Sequence, residues 1–245
     1  MKKLKMLSCL LVLVFSFQYY VCASGDNLGV RSTLFQKSVS NVKETDMFKN
    51  ILEKTNSTPV EYGIMATFNT SSGKEKVVDE TFKVLTEYNE CNKKVWRDNK
   101  IYRIEFNGYY ADGYVEGVEN ENYNIITVNI TRKSSQYKLQ DLKNMVDRSI
   151  GNRKEKCKYF EYVKAKTQKK DVSIVNSEVK NILKFYGTSD IKTIALEEGY
   201  SSTAYTHKYE PIQSGTGLID FNYAVVKYDT GTYIIMGTPE IMVTY

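Results

Sequence analysis

One histidine, three prolines, one tryptophan and four cysteines in 245 residues set the first limits. With His207 alone, a Ser-His-Asp triad, a Cys-His dyad or a His-based metal site would have to be built around a single ring. No Cys-x-x-Cys occurs, so the thiols do not spell a zinc site. No cofactor and no metal are expected. Neither charge sign dominates: 34 Lys and Arg stand against 29 Asp and Glu, and 42% of residues are apolar, which excludes wholesale disorder and a polytopic membrane protein.

What is present begins with an export signal. Lys2, Lys3 and Lys5 form a charged start, residues 6–23 run apolar, and Val21-Cys22-Ala23 precedes Ser24. This pattern predicts a signal peptide over 1–23, cut between Ala23 and Ser24, and an extracellular or envelope-associated protein. Left uncleaved, the same stretch is long enough to anchor the chain in a membrane. Neither Cys9 nor Cys22 sits in a lipoprotein setting. Cleavage removes three Lys and no acid, so the formal net charge falls from +5 to +2. The basic excess therefore belongs largely to the targeting segment and is no argument for nucleic acid. Cys91 and Cys157 remain in the mature chain, and outside the cytoplasm one disulfide between them is possible.

After a polar leader over 24–40, hydrophobic periodicity predicts an element order that occurs twice. Residues 41–54 read as a helix, 60–68 as a strand, 77–88 as a helix, and 94–98, 100–107, 112–118 and 122–132 as four strands. Then 136–150 reads as a helix stopped by Gly151, 155–166 as a strand, and 171–187 as a helix capped by Asp171 and closed at Gly187. Four more strands follow over 191–197, 200–209, 218–228 and 232–245. A shift of 97 residues lays Tyr62 on Tyr159, Val78 on Val175, Phe82 on Val179 and Leu85 on Ile182. The fold class expected is α+β: two α-β-α-β4 repeats, 41–132 and 133–245, forming one curved antiparallel sheet with helices on one face and the other face largely uncovered.

Three stretches near the C-terminus, residues 200–206, 219–224 and 231–245, resemble the YwmB family of exported Firmicutes proteins. The matching positions are Tyr205, Asn222, Ala224, Gly237, Thr238, Pro239 and Tyr245. The chain departs from the family's pattern at Lys227, before Tyr228, and at Thr244, before the final Tyr. The resemblance implies a duplicated β-α-β4 fold like that of the TATA-binding protein, an envelope location, and no catalytic residues. Likeness of fold to a DNA-binding protein is not likeness of function.

The remaining motifs read as structure first. Gly215-Thr216-Gly217 lacks a following helix and a Lys, so it predicts a hairpin turn rather than a phosphate loop. Gly237-Thr238-Pro239 predicts a break between strand stretches, with Pro239 at an edge or bulge. Ser201 and His207 lie about 20 Å apart along a strand at ~3.3 Å per residue, too far to form a dyad. Glu105, Glu116, Glu197, Glu198 and Asp220 show no acid-base spacing and read as solvated faces and turns. Lys164, Lys166, Lys169 and Lys170, with Arg153, Lys154, Lys156 and Lys158, flank the second repeat's first strand and suggest a Lys-protected edge or contact with an anionic polymer or headgroup. Tyr102, Tyr109, Tyr110, Tyr114 and Tyr123 crowd the middle strands of the first half, where aromatic faces stack on sugar rings or on each other.

The function expected is a non-catalytic one, binding an unknown envelope protein or wall polymer through the open sheet or its edges. The alternatives are a wall-glycan binding module and, further off, an envelope hydrolase or a DNA-binding protein. TATA-like DNA is not an expected partner, because Glu105, Glu116, Glu197, Asp220 and Glu240 would bring acids toward phosphate.

Overall fold

The structure, a computed structural model, describes residues 46–87 and 90–244. The expected cleavage at Ala23 and Ser24, the leader over 24–40 and the motif residue Tyr245 lie outside them. The elements run α1 (Met47–Lys54), β1 (Ser57–Thr70), α2 (Lys74–Leu85), β2 (Cys91–Arg97), β3 (Ile101–Gly108), β4 (Asp112–Glu119), β5 (Asn124–Arg132), α3 (Leu139–Ile150), a 3-10 turn (Gly151–Lys156), β6 (Lys158–Thr167), α4 (Val172–Phe185), β7 (Ile191–Leu196), β8 (Gly199–Ala204), β9 (Ile212–Ser214), β10 (Gly217–Ile219), β11 (Phe221–Tyr228) and β12 (Gly231–Thr238).

Ten strands form one antiparallel sheet in the order β2-β3-β4-β5-β1-β6-β12-β11-β8-β7, and β9 and β10 form a separate hairpin around the predicted turn at Gly215 to Gly217. At the centre β1 and β6 run side by side, with Tyr62 opposite Val163, Ile64 opposite Glu161 and Ala66 opposite Tyr159. The protein is thus a mixed α+β structure whose described residues fall in one compact unit, with the ten-stranded sheet built between Ser57 and Thr238.

The period-two alternation of the strands fixes which face is covered. Ile64, Ala66, Ile104, Val115, Val128, Val163, Tyr223 and Ile234 point one way and join the apolar sides of all four helices in one buried cluster. Helix spacing does the matching work: α1 buries Met47, Phe48, Ile51 and Leu52, and α4 buries Val175, Asn176, Val179 and Leu183. Burying each such Leu or Ile is worth about 1.5–3 kcal/mol. Helix ends follow the expected chemistry. The Asp171 carboxylate accepts the Ser173 and Ile174 amides at 2.8 and 3.2 Å and starts α4.

Several expectations are corrected at the element ends. The 200–209 strand stops at Ala204, because the Asp220 carboxylate gathers the Thr206, Lys208 and Tyr209 amides and folds 205–210 into a loop. The strand expected from 155 starts at Lys158, since the 3-10 turn takes up the residues after Gly151. The final strand stops at Thr238, and the chain after Pro239 leaves the ladder. The helical register also shifts. Val77, Val78, Thr81 and Leu85 of α2 match Val175, Asn176, Val179 and Leu183 of α4 at a displacement of 98, not 97, because one more residue separates Thr167 from Val172 than Thr70 from Lys74.

Candidate binding site

Strand parity defines the face that carries no helix. In the N-terminal half it displays Lys94 and Trp96 from β2, Arg103 and Glu105 from β3, and Tyr114 and Glu116 from β4, as the pairing registers require. These charges neutralise one another. The Arg103 guanidinium lies 2.9 Å from Glu105 and 3.4 Å from Glu116, and stacks 3.7 Å over the Tyr114 ring. The Lys94 ammonium sits 3.8 Å over Trp96, whose indole is half exposed.

The C-terminal half is apolar on the same face. Ala224, Val226 and Ile235 are buried there, packed with Leu196, Tyr228 and Tyr233 and covered by Ile241 and Val243 of the tail. The face expected to be largely uncovered is covered in this half by the chain itself: Ile241 and Val243 of the tail fold back over it. Asn222 holds that fold-back. Its amide donates to the Ser202 carbonyl at 2.7 Å and its Oδ1 accepts the Ile241 amide at 3.3 Å. Gly237, directly opposite Asn222, leaves the room, since a Cβ there would stand 2.5 Å from the Glu240 carbonyl oxygen. Burial pushes the Glu240 carboxyl above the usual carboxylate range.

Between the halves lies the region where this face is most ligand-like. Lys158, Lys164 and Lys166 project from β6. Because β6 is one of the two middle strands, the reading of these lysines as protection for a sheet edge is wrong; the edges are β2 and β7. Lys169 leaves the patch altogether and pairs with Glu178 of α4. Over β6, β11 and β12 opens a cleft of about 980 Å³, walled by Tyr228 and Tyr233 and ringed by Glu61, Lys133, Lys164, Glu198, Lys227 and Asp229. The two tyrosine rings meet edge to face with centroids 5.3 Å apart. The Lys164 ammonium lies 4.9 Å from one centroid and 5.4 Å from the other.

No family model matches the chain. No curated protein matches it either. Among the described residues, no group of three or more His, Cys, Asp or Glu is placed to hold a metal, and no helix is long and apolar enough to cross a membrane.

The structure redistributes the residues singled out in the sequence. Of the five tyrosines read as a possible sugar platform, Tyr102 faces the helices and donates to Asp79 at 2.9 Å, and Tyr110 packs under Arg132. Tyr109 and Tyr123 lie in turns, and only Tyr114 reaches the open face. Asp220 is fully buried in its loop rather than solvated or facing a ligand. His207 packs tilted against the motif residue Tyr205, with centroids 3.9 Å apart and the rings at 43°, away from Ser201 on β8. The motif residues Asn222, Ala224 and Gly237 serve the tail fold-back, Thr238 is buried at the end of β12, and Pro239 begins the tail.

The possible Cys91–Cys157 bridge is not formed, and both thiols are free. Cys91 opens edge strand β2 opposite Gly108. The Cys157 thiol donates to the Arg153 carbonyl at 3.3 Å. Burial pushes the Cys157 thiol up to about 12 and raises that of Cys91, so neither is an activated nucleophile. The cleft's aromatic wall is local in sequence: Tyr228 and Tyr233 border residues 229–232 of one hairpin, in a register that puts both on one face, and that spacing is the signal the sequence offers for it.

Proposed function

We propose that the chain is an exported, YwmB-like, non-catalytic protein that binds envelope material, a protein or a wall polymer, through the sheet face that carries no helix. In this reading the sheet is a duplicated β-α-β4 unit like that of the TATA-binding protein. Two observations support the duplication. Outward from the β1–β6 junction the strands run β5-β4-β3-β2 on one side and β12-β11-β8-β7 on the other, and α2 and α4 bury four matching positions.

The observation that carries the binding role is the contrast within one face. At its middle, aromatic and charged side chains surround an open cleft, while on either side the charges are paired or the apolar surface is covered. Binding sites combine concavity, apolar walls and a few polar groups in this way. TATA-like DNA is not the partner, because Glu105 and Glu116 stand on the face that would meet phosphate and the mature chain is only about +2 at neutral pH.

The test uses the mature chain starting at Ser24, immobilised and exposed to solubilised envelope and, separately, to purified wall. Retention of one or both is expected. Retention of neither, or sub-micromolar sequence-selective DNA binding at ~150 mM salt, would defeat the reading. Mass spectrometry of the native protein is expected to find Ser24 at the N-terminus; an intact Met1 in the membrane fraction would replace secretion by anchoring.

A further inference from the structure

The six charged residues that line the cleft are balanced in sign: Lys133, Lys164 and Lys227 against Glu61, Glu198 and Asp229. No ion pair closes within 4.0 Å among them, although ion pairs elsewhere on the molecule are common, Arg103 with two carboxylates on the same face included. Glu61 is fixed from another direction, accepting the Tyr162 hydroxyl at 2.9 Å. Tyr233 is fixed as well, its hydroxyl 3.0 Å from that of Thr230. The cleft thus holds donors and acceptors that do not satisfy each other beside two oriented aromatic rings.

Each ligand class asks for something different. A polyanion needs a surface of one sign, which three lysines among three carboxylates do not provide. A purely apolar peptide segment leaves six charges desolvated and unpaired, at a cost in every one. A neutral carbohydrate suits both parts. Its hydroxyls each donate and accept, so they need both signs around them, and the C–H face of a sugar ring packs on an aromatic side chain as other apolar surface does.

We propose that this cleft is a saccharide-binding site for neutral oligosaccharides, with Tyr228 and Tyr233 as the wall for a sugar ring and Lys164, Glu61 and Glu198 as partners for its hydroxyls. The proposal rests on the reading of this face as an envelope-binding surface and narrows that reading to one place and one chemistry. A volume of about 980 Å³ lies at the upper end of the ~300–1,000 Å³ of small-ligand sites, which fits an oligosaccharide better than a single ring.

Calorimetric titration of the mature chain with the N-acetylglucosamine tetramer and the glucose tetramer, beside poly(glycerol phosphate) as the anionic probe, decides it. Saturable binding of at least one neutral tetramer is expected, changing little between 50 and 300 mM salt. Affinity falls about tenfold or more in Tyr233→Ala and in Lys164→Met, and is unchanged in Trp96→Ala, on the other half of the face. Thermal melts check folding, and Lys164→Met decides alone where Tyr233→Ala melts early. No neutral tetramer binding at several millimolar, binding that survives both substitutions, or binding of poly(glycerol phosphate) alone with steep salt dependence overturns the proposal. If intact wall or an envelope protein still retains the chain in those cases, the broader envelope reading stands and only the cleft assignment falls; if nothing retains it, both fall.

Discussion

The two halves of the sheet are alike where they meet the helices and unlike where they do not. Toward the helices, α2 and α4 bury four matching positions, Val77 and Val175, Val78 and Asn176, Thr81 and Val179, Leu85 and Leu183. Two of these pairs exchange a polar for an apolar residue: Asn176 Oδ1 accepts the buried Tyr223 hydroxyl at 3.1 Å, whereas the buried Thr81 hydroxyl, matching Val179, has no hydrogen-bond partner. Away from the helices the N-terminal half is a lattice of paired charges, and the C-terminal half is an apolar surface under a fold-back of the chain. Packing against a shared core constrains both halves equally, because every misplaced methylene there has a cost. The far face has no helix layer, and there the two halves differ.

The largest expected effect tests the likeness. Leu85→Ala and Leu183→Ala remove matching buried side chains, 3% and 0% exposed, and each should cost about 2–5 kcal/mol. The β1–β6 ladder, with one register shift between Pro59 and Glu61, joins the halves through ten paired positions, so denaturant unfolding of either variant should remain a single transition with a lowered midpoint. Two transitions in either variant would show that the halves unfold independently and that the ladder is a weak seam.

A second substitution tests the unlikeness. Between β3 and β4 the chain turns tightly, Gly108 N–H bonding the Ala111 carbonyl at 3.2 Å. Between β8 and β11 it makes a long excursion pinned by Asp220, which accepts the Thr206 amide at 2.6 Å, the Thr206 hydroxyl at 2.9 Å and the Lys208 and Tyr209 amides at 3.0 and 3.3 Å. Removing a buried acceptor strands its donors, and bonds to a charged group are worth about 1.5–3 kcal/mol each. With partial rehydration of the loop, Asp220→Ala should cost ~3 kcal/mol and raise amide exchange at Thr206, Lys208 and Tyr209. Unchanged exchange there would show that the excursion is held by its aromatic packing on Phe48 and Phe221 instead.

What the sequence made legible follows the range of the forces involved. Helix caps, turns and face alternation are local, so Asp171, Gly151 and the Gly215 to Gly217 hairpin sit where expected. Strand order is set by distant pairings, and the lysines of β6 looked like an edge because nothing nearby in sequence says that β1 and β12 flank them. Likewise Asp220 looked like a solvated acid because its four donors lie 11 to 14 residues away. The cleft brings Glu61, Lys164 and Tyr233 together from three separate strands, a juxtaposition that only the assembled sheet creates.

The smallest expected effect concerns the fold-back, the clearest departure of one half from the other. Glu240 is half-buried in the tail, and burial raises its carboxyl above the usual range. The folded chain therefore takes up this proton more readily than the unfolded chain does. Stability carried by the docked tail is greatest at pH values below the ordinary glutamate range and declines as pH rises from there through the raised folded value, because the charged form resists burial. Glu240→Gln keeps the shape and removes the charge. Its melting temperature should equal that of the parent near pH 4 and exceed it modestly near pH 7, with slower exchange of the Ile241 amide that Asn222 holds. Parallel melting curves for the two proteins from pH 4 to 8 would mean that the Glu240 carboxylate is hydrated in the folded chain and that the tail lies on the sheet at no electrostatic cost.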